Sequence, residues 1–168
     1  MKLAIISDSH DNLINLEKFL NWANNNQIDQ IIHCGDLCAP GTLKNVLSPK
    51  FLGKIHLIHG NVSDREFLDK VAAGLPNIKF YGDQGEIEID GKKIGFVHRP
   101  EEAKTLINQR KYDFIFYGHT HQPWEEKIGQ TRLFNPGTLA GMFYKATFAV
   151  YDSEKDTVEL KILEQINL

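Results

Sequence analysis

The sequence predicts an α/β (α+β) chain in which two sheets pack face to face with helices outside. The first half alternates short apolar runs with helically spaced ones, the pattern of parallel crossovers, and the second half is mostly strands. A third sign is Asp90-Gly91 between two such strands, a dipeptide that readily takes the positive dihedrals of a tight hairpin turn. The 168 residues contain no repeat, low-complexity stretch or charged linker, so a single domain over 1–168 is expected.

Lys2–Ser7 is an Ile-rich strand, and Leu13, Leu16, Phe19, Leu20 and Ala23 recur at helical spacing over Leu13–Asn24. Asp29–Cys34 reads as a second strand, Gly41–Leu47 as a helix after Pro40, and Lys54–His59 as a third strand. A helix over Asp64–Ala73 stops at Gly74 and Pro76. Gly85–Ile89 and Lys93–His98 form the hairpin around Asp90-Gly91, followed by a helix over Glu101–Gln109 and a strand over Asp113–Tyr117. Glu125–Ile128, Thr131–Phe134, Ala146–Tyr151 and Thr157–Leu163 complete the strands.

Composition excludes several classes. The net charge of −3, with basic residues scattered except at Lys92-Lys93 and Arg110-Lys111, does not suit a nucleic-acid polymer and favours small phosphorylated partners. The first apolar run ends at Ser7-Asp8, far short of a secretory segment or a membrane span. Cys34 and Cys38 are too few for a disulfide scaffold or a four-cysteine zinc site. A cytoplasmic protein with no membrane partner is therefore expected.

The polar residues that matter fall just after strands. Asp8-Ser9-His10 follows the first, Gly35-Asp36 the second and Gly60-Asn61 the third, while His98 ends the hairpin and Gly118-His119-Thr120-His121 follows the next strand. In extended backbone, residues two apart point the same way, so Asp8 and His10 are expected to converge on one ion. Each motif alone is as common in turns and caps as in ligand sites. Five strand ends delivering oxygen and nitrogen donors to one rim is a more specific signal, because carboxylate and imidazole together suit divalent ions.

This ordered series, with Asn135-Pro136-Gly137-Thr138 after it, resembles the calcineurin-like metallophosphoesterase superfamily and its compact bacterial and archaeal phosphodiesterase branch. The resemblance covers nearly the whole chain. It implies a two-sheet αββα sandwich with a binuclear centre, in which Asp8, His10 and His121 bind one ion and Asn61, His98 and His119 the other. Asp36 would bridge both, with Asp36, Asn61 and His119 carrying catalysis. One shared carboxylate permits the separation of about 3.5–4 Å used by two-metal hydrolases, which attack phosphorus with a metal-bridging hydroxide. Mn²⁺ or Ni²⁺ is the first expectation for the two divalent ions, with Mg²⁺, Fe or Zn²⁺ as the other candidates.

The chain also departs from that pattern. Val62-Ser63-Asp64 stands where many relatives carry His-Glu after Gly-Asn, so a helper histidine is missing. His98-Arg99-Pro100 replaces the usual His-Gly-His. Arg99 could grip phosphate through its guanidinium or be a solvated arginine before a helix-starting proline. His33 and His59 read as space-filling residues or as braces that orient a neighbouring ligand, His56 as space-filling, Asn135 as either a brace or a turn cap, and the cysteines as structural. Phe143-Tyr144 and Trp124 fit either a core or an interface, which leaves a homo-oligomer open. The expected activity is hydrolysis of small phosphodiesters. The alternatives are a non-catalytic scaffold on the same fold, as in the related retromer subunit, and a nuclease.

Overall fold

Side chains alternate across each strand, and the layers follow from where the two faces find apolar partners. The computed structural model describes residues 1–167. In chain order its strands are β1 (Lys2–Ile6), β2 (Gln30–His33), β3 (Lys54–Leu57), β4 (Ile78–Phe80), β5 (Gln84–Ile89), β6 (Lys92–Val97), β7 (Phe114–Phe116), β8 (Trp124–Ile128), β9 (Thr131–Asn135), β10 (Thr147–Asp152) and β11 (Thr157–Ile162). The helices are α1 (Leu13–Asn25), α2 (Pro40–Thr42), α3 (Ser48–Lys50), α4 (Arg65–Ala73) and α5 (Pro100–Gln109). A π turn over Leu43–Leu47 joins α2 to α3, where Pro49 has no N–H to close a regular turn.

One sheet runs β11-β10-β1-β2-β3-β4 and the other β5-β6-β7-β9-β8. Leu3 and Ile5 of β1 meet Phe96, Phe114 and Phe116 of the second sheet in the core between them. The opposite face of β1, Ala4 and Ile6, packs on Leu16, Phe19 and Leu20 of α1. Beyond the second sheet, Val97 and Ile115 pack on Ala103 and Leu106 of α5. The layers are thus helix, sheet, sheet, helix, the αββα sandwich, and each buried Leu, Ile or Phe contributes roughly 1.5–3 kcal/mol.

Three features differ from the sequence reading. β4 was not expected, since its three residues are half-buried or exposed and carry no strong alternation. The late strands do not form hairpins alone: β6-β7 and β7-β9 pair in parallel, and the β10–β11 hairpin returns to the first sheet against β1. Leu13, assigned to the buried stripe of the first helix, is 44% exposed in its first turn. Among the described residues no helix is long and apolar enough to cross a membrane.

Candidate metal centre

The five strands that carry the chemistry are divided between the sheets, β1, β2 and β3 in one and β6 and β7 in the other. Their carboxyl ends meet along one rim of the sandwich. Asp8 N–H donates to the Gly35 carbonyl and His10 N–H to the Asp36 carbonyl, both at 3.0 Å. Across the sheets, Gly118 N–H donates to the His98 carbonyl and His119 N–H to Asp8 Oδ2, also at 3.0 Å.

The route by which Asp8 and His10 converge is a correction to the sequence reading. β1 ends at Ile6, and both residues adopt left-handed backbone, with φ of 52° and 41°. Strand alternation therefore does not aim them. A tight loop does, held by the bonds to Gly35 and Asp36. Asp36, His119 and His121 share this conformation, with φ of 57°, 68° and 59°. Such strain in residues with side chains persists where surrounding contacts over-determine it, as at functional sites.

All seven expected ligands come together. On one flank, His10 Nε2 lies 3.1 Å from His121 Nε2, and His121 Nε2 lies 3.2 Å from Asp8 Oδ1. On the other, Asn61 Oδ1 lies 2.9 Å from His98 Nε2 and 2.8 Å from His119 Nδ1. Asp36 Oδ2 stands between the flanks, 3.3 Å from His98 Nε2 and 3.8 Å from His10 Nε2. Two triads, Asp8–His10–His121 and Asp8–Asp36–His98, each place their ligand atoms within 4.8 Å of one another.

Two glycines let the rim close this tightly. A Cβ on Gly60 would overlap the Asp36 carboxylate, and one on Gly118 would overlap Ser7 Oγ. Asp36 is further held by the Val62 amide, which donates to Oδ1 at 3.0 Å. His98 is oriented from behind, its Nδ1 donating to the Cys34 carbonyl at 2.8 Å.

The donor set and its electrostatics fit bound cations. Asp8 Oδ1 is buried and accepts no hydrogen bond, a costly state for a carboxylate unless a positive charge faces it. The His10 and His121 Nε2 atoms, 3.1 Å apart, stand beside it as further donors to an ion. Burial pushes the Asp36 pKa up, but His98 and the Val62 amide outweigh it and hold the carboxyl at about 2. The Asp8 carboxylate beside His121 Nε2 raises the His121 pKa, whereas burial, His98 and Arg99 lower that of His119. The set comprises carboxylates, imidazoles and one amide oxygen, without thiolate, and suits divalent metals. Cys38 Sγ is 3.8 Å from His10 Nδ1, but burial and nearby carboxylates push its thiol up to about 11. It stays protonated near neutrality and is a poor ligand.

The remaining residues divide clearly. Arg99 is exposed at the start of α5, its N–H bonded to Glu102 Oε2 at 2.9 Å, with no ion pair among the described residues. It lines a cleft of about 80 Å³ with Asn61, His98, His59, Arg65 and Glu102. His56 is a satisfied structural residue, bonded to Tyr81 Oη and Gln30 Oε1. His33 pairs with Ser9 Oγ at 2.9 Å inside the loop that carries Asp8 and His10. His59 Nε2 lies 2.9 Å from Asp69 Oδ1. Asn135 does both things expected of it: its amide donates to the Gly118 carbonyl and Thr120 Oγ1, and its oxygen accepts from Gly137 N–H. The bracing roles of Ser7, Ser9 and Gly118 went unread because small residues near turns carry no distinctive signal.

Comparisons with known proteins agree with this geometry. Residues 1–156 match the family described as the calcineurin-like phosphoesterase superfamily domain. The chain is 28% identical to Phosphodiesterase MJ0936 of Methanocaldococcus jannaschii, over 98% of this chain and 100% of that protein. It is 31% identical to Probable metallophosphoesterase MJ0623 of the same organism, over 82% of this chain and 68% of that one. A solved structure described as a novel archaeal phosphodiesterase superposes with a TM-score of 0.83 at 26% identity, covering 96% of this chain and 99% of that one.

Proposed function

This chain belongs to the calcineurin-like phosphoesterase superfamily, and from that premise we propose a binuclear, divalent-metal-dependent phosphodiesterase acting on small phosphodiesters. The observation that carries this reading is the shared carboxylate: Asp36 stands between a triad of Asp8, His10 and His121 and a triad of Asn61, His98 and His119. Asp36 and the two triads are the residues that would hold the ions. Mn²⁺ or Ni²⁺ is the proposed pair, on the basis of a mixed carboxylate–imidazole set with an amide oxygen. Bound there, divalent ions lower the pKa of water toward neutrality and neutralise charge at phosphorus.

The chain's own residues position and balance the reacting groups. Asn61 turns its carbonyl oxygen toward His98 and His119, which leaves its NH₂ free to donate to a phosphate oxygen. A carboxylate at that position would repel the substrate. Burial, His98 and Arg99 disfavour the protonated form of His119, which keeps its imidazole available as a ligand. Arg99, unpaired beside Asn61 and His98, supplies a guanidinium for an anionic oxygen of the substrate. The resemblance to named phosphodiesterases and the sparse positive charge of the rim favour a monoanionic diester over a dianionic monoester. All seven ligand positions being filled disfavours a scaffold, and the net charge of −3 disfavours a nuclease.

The test is hydrolysis of an aryl phosphodiester and its monoester by metal-stripped protein, with Mn²⁺, Ni²⁺, Mg²⁺ or Zn²⁺ restored, beside Asp36→Asn. Turnover that needs metal, favours the diester and falls by about a thousandfold in the variant is expected. Folded wild-type protein that no metal activates would overturn the reading.

A further inference from the structure

Trp124, Phe143 and Tyr144 are exposed, so none is a core residue, and one stands apart from the other two. Phe143 is 87% exposed, yet its ring centroid lies 5.8 Å from that of His121, with the planes 40° apart. Its backbone is left-handed, with φ of 66°, a conformation that a bulky side chain rarely adopts. A solvent-facing phenylalanine in a strained backbone, against an imidazole of the metal centre, gains nothing for the fold from its own burial.

The segment that carries it is anchored to the rim. Leu139 N–H donates to the Ser7 carbonyl at 2.9 Å and Ala140 N–H to the Asp8 carbonyl at 3.1 Å. Thr138 Oγ1 donates to the Asp8 carbonyl at 2.9 Å. From the helix side, the Asn12 and Asn15 amides donate to the Ala140 and Leu139 carbonyls at 2.9 and 3.0 Å. Gly141, with φ of 74°, takes left-handed backbone just before Met142 and Phe143. The stem of this loop is thus tied to the loop that aims Asp8 and His10, and Phe143 follows it three residues on, beside His121.

We propose that Phe143 is the aromatic wall of the substrate site, stacking against the nucleobase carried by the non-leaving ester group of a phosphodiester held at the metal centre. The assignment rests on the phosphodiesterase reading and narrows its substrate class to diesters whose non-leaving ester carries a nucleobase. Stacking on an aromatic face suits this place because it tolerates any base and needs no hydrogen-bonding partner from the loop. The occupied side is the Asp8–His10–His121 flank, opposite Arg99, so the aromatic and the anionic parts of the substrate are sorted to different ends of the rim.

The test compares two diesters with the same 4-nitrophenyl leaving group, one whose other ester is a thymidine and one whose other ester is methyl. Phe143→Ala is expected to raise KM for the thymidine diester about tenfold, leave kcat and the methyl diester nearly unchanged, and be rescued by Phe143→Trp. Calorimetric binding of thymidine 5′-phosphate and of methyl phosphate to metal-loaded protein gives a readout without turnover, and the preference for the nucleotide should vanish in Phe143→Ala. Equal effects on both diesters, or unaltered binding preference, would overturn the wall. So would a dimer that Phe143→Ala dissociates while selectivity stays as it was, since the ring would then serve self-association. Wild-type protein that hydrolyses neither diester with any metal sinks the phosphodiesterase reading instead, and the binding preference still decides the wall.

Discussion

The Asp8–His10–His121 flank of the centre and the Asn61–His98–His119 flank share the Asp36 carboxylate and differ in almost everything else. On the Asn61 side, the amide oxygen lies within hydrogen-bond distance of two imidazoles, and His98 is tied to the Cys34 carbonyl. On the Asp8 side, a buried carboxylate oxygen has no hydrogen-bond donor, and two imidazole nitrogens face each other. The borders differ too, with Arg99, Arg65 and Glu102 around a polar cleft beside Asn61 and the exposed Phe143 beside His121. A site whose halves are built this differently suits a substrate whose two ends differ.

The sharpest way to break that comparison is to remove one ligand from each flank. Asp8→Asn is expected to lower turnover about a thousandfold and Asn61→Ala about a hundredfold, on the scale of losing preorganised electrostatic partners. The larger loss falls on the side that depends more on the ion. Metal analysis should find fewer than two ions per chain in both, and equal losses of activity and metal would mean that the flanks are equivalent.

Arg99→Ala probes the border of the Asn61 flank. KM for the diester should rise about tenfold with kcat within about twofold, because the guanidinium binds an anionic oxygen without touching the reacting bond. An unchanged KM returns Arg99 to the role its backbone already has, the start of α5.

The smallest effect lies away from the rim and separates site effects from fold effects. Burial, with lesser contributions from Lys54 and Lys79, lowers the His56 pKa to about 4, whereas an unfolded histidine titrates near 6.5. Between these values the unfolded chain binds the extra proton, so the contribution is complete above pH 6.5 and is lost as pH falls toward 4. His56→Gln should remove up to about 2–3 kcal/mol of this acid sensitivity in urea titrations run from pH 7 to 4. A pH profile unchanged by the substitution would show that His56 does not titrate as its burial implies.

How much of this was legible in the sequence depended on how local the cause was. Leu16, Phe19, Leu20 and Ala23 announced α1 by spacing alone, and Asp90-Gly91 announced its hairpin. The ordered Asp, Asn and His residues after strands pointed to one rim, and the ligand types alone pointed to divalent metal. β4 escaped because three residues with partial burial carry no pattern. Asp8 and His10 were brought together for a reason the spacing did not contain, since a left-handed loop aims them and the strand has already ended. Phe143 could be read only as core or interface, because a bulky apolar residue has no periodicity in a loop.

What the sequence by itself determined was the set of chemical groups and the order in which strands deliver them, because period, turn residues and donor types are local properties of the chain. Which sheet each strand joins was decided only by the tertiary structure. β10 pairs with β1 across a long stretch of chain, and β6 and β7 sit in the sheet opposite Asp8 and Asp36. Whether Asn61 meets His119, or Phe143 meets His121, depends on those long-range pairings. Their positions follow from burying both faces of two sheets at once, and no segment of the chain can satisfy that alone.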